Sequence, residues 1–172
     1  MKTYIVLLRG VNVGGRNILP MKELVDILID NNYQNVKTYI QSGNVVLGSS
    51  TKPDSNISSI IKNKFGFKPE VIVMSESELI LSIKNNPYRS KEGNKVHFFF
   101  CRNNPKVDGL KLEKLKSESE EYCIEGNVLY LYAPNGVGRS KLVANIESGL
   151  GVLVTARNLN TVNKLQSMVK NA

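Results

Sequence analysis

The stretch that decides the fold is VKTYIQSGNVVL, residues 36–47. Val36–Ile40 and Asn44–Leu47 are short runs of strand-forming residues, and polar residues separate them. The turn sequence Ser42-Gly43-Asn44 suits a tight hairpin, because glycine and asparagine tolerate the positive φ angles that such turns need. The stretch therefore predicts a β-hairpin.

A strand and a helix are predicted on each side of this hairpin. The periodicity of apolar residues changes from strand-like to helical and back, which gives the order β-α-β-β-α-β. The predicted elements are a strand over Lys2–Arg9, a helix from Pro20 to about Asn32, a helix capped by Asp54 or Ser55 and ended by Gly66, and a strand over Val71–Met74.

The same order recurs further along the chain. Tyr39–Val45 matches Tyr122–Val128 at an offset of 83 residues (from 39 to 122), with tyrosine, glycine, asparagine and valine in common. This repeat predicts an internal duplication: a first βαββαβ half over residues 1–75, a connecting helix and linker over 76–94, and a second half with a C-terminal helix over 95–172. The predicted elements of the second half are strands over Val96–Cys101, Tyr122–Ile124, Val128–Tyr132 and Val152–Thr155, and helices over Asp108–Leu115 and Arg139–Ser148.

The predicted fold class is α+β, with two tandem ferredoxin-like βαββαβ halves, antiparallel sheets and extra helices after each half. We expect the strand order 4-1-3-2 in each sheet. We also expect the first and third strands to be parallel neighbours, which puts the loop after Arg9 and the Gln41–Asn44 turn at opposite ends of the first sheet. The third strand should hold Cys101 and Cys123 about 9–10 Å apart, too far for a disulfide.

The strand VHFFFC, residues 96–101, is apolar on both faces, although helices cover only one face of a ferredoxin-like sheet. An exposed apolar face requires a cover. Three covers are compatible with the sequence: the other sheet, the extra helices, or a second copy of the chain in a homodimer.

The net charge of +8 favours an anionic small molecule or nucleic acid as partner, although dispersed lysines also serve solubility alone. No apolar run is long enough to span a membrane, so a cytoplasmic protein is predicted. His97 is the only histidine and is expected to be a satisfied core residue. With two cysteines besides, we expect neither a metal site nor a cofactor.

The first candidate site is the glycine-rich loop RGVNVGGRN, residues 9–17, between a strand and a helix. Backbone N–H groups at such a junction can cradle an anion, and arginines add charge-assisted hydrogen bonds. The spacing matches no nucleotide-binding motif, and a turn that needs positive φ angles would also explain the glycines. The residues concerned are Arg9, Gly10, Asn12, Gly14, Gly15, Arg16 and Asn17.

Two further candidates lie in the second half. Ala133–Lys141 resembles a degraded P-loop and offers Arg139, Ser140 and Lys141 to an anion, beside Arg102 at one end of the second sheet. Thr155–Thr161 is predicted to lie near Gly126 and Asn127 and offers Arg157, Asn158 and Asn160, although helix capping also explains asparagines there. The equivalent polar residues of the first half are Gln41, Ser42 and Asn44.

Several long motifs resemble one bacterial family. Residues 7–15, Pro20-Met21 and residues 38–46 are similar to the signature of the uncharacterised family called domain of unknown function 1697, and residues 138–142 and 155–162 resemble its C-terminal motifs. The resemblance implies a bacterial, cytoplasmic protein without an assigned catalytic residue. The predicted function is binding of an anionic ligand, a nucleotide or nucleic acid, through the strand-to-helix loops. The alternatives are an enzyme acting on a phosphorylated or carboxylated small molecule and a self-associating interaction module.

Overall fold

The predicted hairpin forms one side of the first sheet in a computed structural model, which describes residues 1–53 and 55–172 apart from the Ser55 side chain. The predicted helix cap at Asp54 or Ser55 lies outside this description. The strands are β1 (Lys2–Arg9), β2 (Gln34–Tyr39), β3 (Asn44–Ser49), β4 (Glu70–Ser75), β5 (Val96–Cys101), β6 (Glu121–Glu125), β7 (Val128–Tyr132) and β8 (Val154–Asn158). The helices are α1 (Met21–Asp30), α2 (Ser55–Phe65), α3 (Glu76–Lys84), α4 (Gly109–Leu115), α5 (Lys141–Ala144), α6 (Ile146–Leu150) and α7 (Leu159–Lys170).

The chain divides into two compact units. Unit 1 contains Met1–Leu81 and Asn163–Ala172, and unit 2 contains Ser82–Val162. Each unit has one four-stranded antiparallel sheet, with the orders β2-β3-β1-β4 and β6-β7-β5-β8. Both orders are the ferredoxin-like 4-1-3-2 arrangement read from the other edge. The predicted fold class and strand order are therefore confirmed.

The direction of the third strand corrects one prediction. β3 runs antiparallel to β1, and β7 runs antiparallel to β5. In a split βαβ unit the first two strands are the parallel pair, so the third strand, which forms a hairpin with the second, runs opposite to both. The expectation of parallel neighbours was wrong. As a consequence, the loop after Arg9 and the Gln41–Asn44 turn lie at the same end of the first sheet.

The residue match between the halves lies out of structural register. The Leu8 N–H donates to the Gly43 oxygen, and at the same place in the second sheet the Cys101 N–H donates to the Asn127 oxygen, both at 2.8 Å. Gly43 is thus equivalent to Asn127, whereas the sequence match pairs it with Gly126. A one-residue slip turns each side chain to the other face of a sheet. The halves share their topology, but the matching letters do not occupy equivalent places.

One face of each sheet packs against helices. Alternate residues of β1, namely Tyr4, Val6 and Leu8, are buried in the core of unit 1 with residues of α1 and α2. In unit 2, Phe99 and Cys101 belong to the corresponding core with residues of α4, α5 and α6. Cys101 is buried and Cys123 half-buried, and both are free thiols, as predicted.

The other face of the second sheet is also buried. Phe98 is fully buried and meets the Tyr130 ring edge-on, with 4.9 Å between the ring centroids. The Tyr130 hydroxyl donates to the Ser82 backbone oxygen at 2.7 Å, and the ring centroids of Tyr88 and Tyr132 are 6.1 Å apart. The end of α3 and the segment after it therefore cover part of this face. Of the three predicted covers, this corresponds to the extra helices. Homodimerisation through a sheet face stays a prediction.

Candidate functional site

The glycine-rich loop folds into a very short β-hairpin. The Asn12 N–H donates to the Asn17 oxygen and the Arg16 N–H to the Val13 oxygen, both at 3.0 Å. Gly14 and Gly15 lie between them with φ angles of 57° and 73°. Positive φ at both central residues is the requirement of a type I′ turn, which glycine meets without strain. The prediction of positive φ angles here is confirmed.

The Asn12 side chain ties this hairpin to the Gln41–Asn44 turn. Its Nδ2 donates to the Gln41 oxygen at 2.8 Å and to the Leu19 oxygen at 2.9 Å, and its Oδ1 accepts the Leu19 N–H at 2.7 Å. Asn17 Nδ2 donates to the Gly10 oxygen at 3.0 Å. Both asparagine side chains thus hold backbone in place. We call residues 9–19 together with residues 40–44 the loop–turn end.

The turn itself is held from inside. Asn44 is fully buried, and its Nδ2 donates to the Tyr39 oxygen at 3.1 Å and to the Ser42 hydroxyl at 2.9 Å. Gly43 has a φ of 82° and lies directly against Leu8 and Val11. The backbone of the loop–turn end is therefore set by buried contacts before any ligand arrives.

Ile40 is the strained residue of the loop–turn end. Its φ of 49° lies in the left-handed region, although Ile40 is β-branched and its side chain is 49% exposed. For an L-residue other than glycine this conformation costs roughly 1–2 kcal/mol, and a branched side chain is among the least suited to it. The turn therefore carries a conformational cost that burial of this side chain does not offset.

The charges at the loop–turn end are mainly positive. Arg9 and Arg16 are exposed, and the sequence has no aspartate or glutamate from Met1 to Lys22 or from Asn31 to Pro53. The strand register places Glu70 opposite Arg9 on β4. The loop–turn end itself contains no histidine, cysteine, aspartate or glutamate, so it lacks the usual groups for proton transfer.

The P-loop-like segment of unit 2 has a different location and helix from those predicted. The Ala133 N–H donates to the Lys95 oxygen at 2.8 Å, so this segment lies where β5 begins, whereas Arg102 follows the end of β5. The predicted helix over Arg139–Ser148 is two short helices, α5 and α6, separated at Asn145. Ser140 caps α5 by accepting the Val143 N–H at 3.1 Å, and Arg139 and Lys141 are exposed.

The Arg157–Asn160 segment has no loop, because β8 runs to Asn158 and α7 begins at Leu159. Arg157 stands opposite Phe98 and is buried, and its Nη1 donates to the Thr155 hydroxyl and the Ala156 oxygen at 2.9 and 2.8 Å. Burial lowers the pKa of Arg157 to about 10.

Asn158 Oδ1 accepts the Thr161 N–H at 3.0 Å, which confirms the predicted helix cap. The Asn160 side chain lies against Gly93. The expected position near Gly126 and Asn127 was wrong, because β8 is antiparallel to β5 and ends opposite His97.

The predicted site residues thus form two sets in two units. The first set shares the loop–turn end of unit 1: Arg9, Gly10, Asn12, Gly14, Gly15, Arg16, Asn17, Gln41, Ser42 and Asn44. The second set lies at the end of the second sheet where β5 begins: Arg139, Ser140, Lys141, Arg157, Asn158 and Asn160. Sequence reasoning missed three exposed aliphatic side chains of the loop–turn end, Val13, Ile18 and Ile40. The sequence could have indicated them, since each is an apolar residue within a polar, glycine-containing segment.

His97 is less satisfied than predicted. It is half-buried on β5, and in the part of the chain that the structure describes its buried Nε2 has no hydrogen-bond partner. Burial lowers the pKa of His97, with a smaller lowering from Lys95 and a backbone hydrogen bond at Asn94 that raises it. The folded protein therefore favours the neutral imidazole.

We expect the protein to lose stability as the pH falls below the ordinary histidine pKa of 6.5. Since the folded pKa is lowered, the unfolded chain binds the proton more readily between 6.5 and the folded pKa, which favours unfolding. Urea midpoints at about pH 7.5 and about pH 5.8 measure this loss, and His97→Leu should reduce it because no other histidine is present. Equal pH dependence in the variant and the wild type would show that His97 is not responsible.

Two features are absent from residues 1–53 and 55–172. No helix in these ranges is long and apolar enough to cross a membrane. Nor do these ranges contain a group of three His, Cys, Asp or Glu side chains arranged to hold a metal ion.

Comparison with known proteins identifies the family. A comparison with curated proteins finds no match. The fold is similar to the solved structure of the conserved bacterial protein SP0830 from Streptococcus pneumoniae, with 21% sequence identity, 98% of each chain covered and a TM-score of 0.70. The family model described as "Protein of unknown function (DUF1697)" matches residues 1–130, which include the whole loop–turn end and exclude Arg139–Lys141 and Arg157–Asn160. Because this match covers most of the sequence, the chain belongs to the DUF1697 family of proteins of unknown function.

Proposed function

We propose that this protein binds a phosphate-bearing anion, a nucleotide or nucleic acid, at the loop–turn end of unit 1. The observation that carries the proposal is the Asn12 side chain, which joins the glycine-rich hairpin to the Gln41 backbone at 2.8 Å. Two segments that are separate in sequence therefore form one surface. The proposal needs no catalysis, and the lack of proton-transfer groups within the loop–turn end supports binding over acid–base chemistry.

Charge and preorganisation support the same reading. Arg9 and Arg16 are the exposed cations of this surface, and guanidinium groups bind phosphate through paired charge-assisted hydrogen bonds. The glycine pair at the tip of the hairpin leaves its backbone open to close approach. Because hydrogen bonds inside the fold already order the loop, binding costs less conformational entropy than it would with a floppy loop.

The test is a thermal-shift screen with inorganic phosphate, nucleotides, sugar phosphates and short oligonucleotides, followed by titration of each ligand that stabilises the protein. We expect Arg16→Gln to weaken binding about tenfold, since a hydrogen bond to a charged group contributes roughly 1.5 kcal/mol or more. Arg89→Gln is the matched control, because Arg89 is also an exposed arginine outside helices and strands but belongs to unit 2 and to neither predicted set of site residues.

Two results would overturn the proposal. In the first, no phosphate-bearing ligand raises the melting temperature. In the second, Arg16→Gln binds as tightly as the Arg89→Gln control and the wild type. Arg9→Gln is a second variant, and its unfolding curve must be measured as well, because Arg9 stands opposite Glu70 in the sheet.

A further inference from the structure

Three aliphatic side chains project from the loop–turn end into solvent. Val13 is 63% exposed, Ile18 is 58% exposed and Ile40 is 49% exposed. Val13 lies in the glycine-rich hairpin, and Ile18 follows that hairpin. Ile40 precedes Gln41, whose backbone oxygen accepts a hydrogen bond from Asn12 Nδ2. Residues 9–19 therefore carry both arginines and two of the apolar side chains, and residues 40–44 carry the third.

Ile40 combines an exposed side chain with a strained backbone, and neither feature stabilises the fold. Its φ of 49° is a conformation that asparagine or glycine adopts with less strain. An isoleucine here gains little from burial and is held in a disfavoured conformation by its neighbours. Residues of this kind cluster where the strain serves binding rather than stability.

A ligand for this surface must offer both anionic groups and apolar area. Mononucleotides offer one base, and duplex nucleic acid hides the faces of its bases by stacking. An anionic lipid surface is typically recognised by four to eight clustered basic residues, whereas Arg9 and Arg16 are the arginines of the loop–turn end. A single strand offers unstacked base faces beside a phosphate backbone. We infer that the loop–turn end binds single-stranded nucleic acid, with aliphatic side chains against the bases and arginines on the phosphates.

This inference rests on the proposed function and adds the class of ligand to it. It also predicts the salt dependence of binding. Two arginine–phosphate contacts on a single strand give a slope of log affinity against log salt of about −1.4, and Arg16→Gln should reduce its magnitude by about 0.7.

The experiment is fluorescence anisotropy with a labelled single strand of about ten nucleotides, as DNA and as RNA. The comparison ligands are the duplex of the same sequence, a mononucleotide, and vesicles containing phosphatidylserine. We expect the protein to bind the single strand at least tenfold more tightly than the duplex or the mononucleotide.

The decisive variant is Ile40→Asn, because it should change stability and binding in opposite directions. Because asparagine adopts a positive φ with less strain than isoleucine, the melting temperature should rise by about 2–4 °C, while loss of the aliphatic contact should weaken single-strand binding about fivefold. Val13→Thr, which keeps the shape of the side chain, should also weaken binding. Leu110→Asn is the control, since Leu110 is 88% exposed in unit 2 and should not affect binding.

Failure of this inference can be told apart from failure of the proposed function. If Arg16→Gln weakens phosphate binding while Ile40→Asn and Val13→Thr bind the single strand normally, the single-strand inference is overturned and the proposed function stands. Equal affinity for duplex and single strand, or binding to vesicles alone, also overturns the inference. If no phosphate-bearing ligand binds, both fail.

Discussion

Gly43→Ala should destabilise unit 1 by about 2–5 kcal/mol, the largest effect expected of one added methyl group in this unit. The φ of 82° costs an alanine roughly 1–2 kcal/mol. The new Cβ would also lie 2.6 Å from Leu8 Cβ and 2.9 Å from Val11 Cγ2, and both of these side chains are buried. Because Leu8 Cβ is attached directly to the β1 backbone, relief requires a shift of the strand or of the turn, at roughly 1–3 kcal/mol.

Urea denaturation of wild type and variant measures this loss. Gly14→Ala is the matched control, since Gly14 also has a positive φ, 57°, but an added Cβ there would meet nothing within 4 Å. The control should lose only about 1–2 kcal/mol, the cost of the backbone conformation. Equal losses in the two variants would show that contact with Leu8 and Val11 is not what requires a glycine at position 43.

Phe98→Ala should destabilise unit 2 by about 3–5 kcal/mol, the usual cost of deleting a buried phenyl ring. Phe98 is fully buried and packs edge-on against Tyr130 at 4.9 Å and beside Phe100 at 5.9 Å between ring centroids. Its deletion removes apolar area and two aromatic contacts, and the surrounding strands cannot close the cavity without losing their register.

Chemical unfolding followed by far-UV circular dichroism measures the Phe98→Ala effect. Leu110→Ala is the control, because Leu110 is 88% exposed and its truncation should change stability by less than about 0.5 kcal/mol. A Phe98→Ala loss as small as that of Leu110→Ala would contradict the buried aromatic cluster on this face of the sheet.

The order of strands and helices was predictable because local patterns carry it. A short continuous apolar run marks β3, helical spacing marks α1, and the Ser42-Gly43-Asn44 turn marks the hairpin between two strands. The register between strands depends on hydrogen bonds between distant backbone groups, which no local pattern contains. The letters of the two hairpins could therefore match at one offset while the backbones align at another.

The local conformations of the candidate site were predictable from the sequence, but the contact between its two segments was not. The glycines of the hairpin and the cap at Asn158 follow from local preference for particular backbone conformations. Whether the hairpin meets the Gln41 turn depends on the direction of β3, which was predicted wrongly. Arg157 was assigned to a loop because strand boundaries depend on pairing, and pairing with Phe98 extends β8 past it.

Unit 1 is discontinuous in the chain, and this bears on how the protein is made. Asn163–Ala172 belongs to unit 1, where the Lys37 ammonium donates to the Asn171 oxygen at 2.9 Å and Lys164 lies 5.9 Å from the Tyr39 ring centroid. During synthesis the N-terminal part of a chain usually folds first. Here Asn163–Ala172 leaves the ribosome after Ser82–Val162 and completes the unit that Met1–Leu81 begins, whereas Ser82–Val162 forms its own unit as one continuous stretch. A chain that stops before Asn163 would have the whole first sheet but would lack the segment of unit 1 that contacts β2.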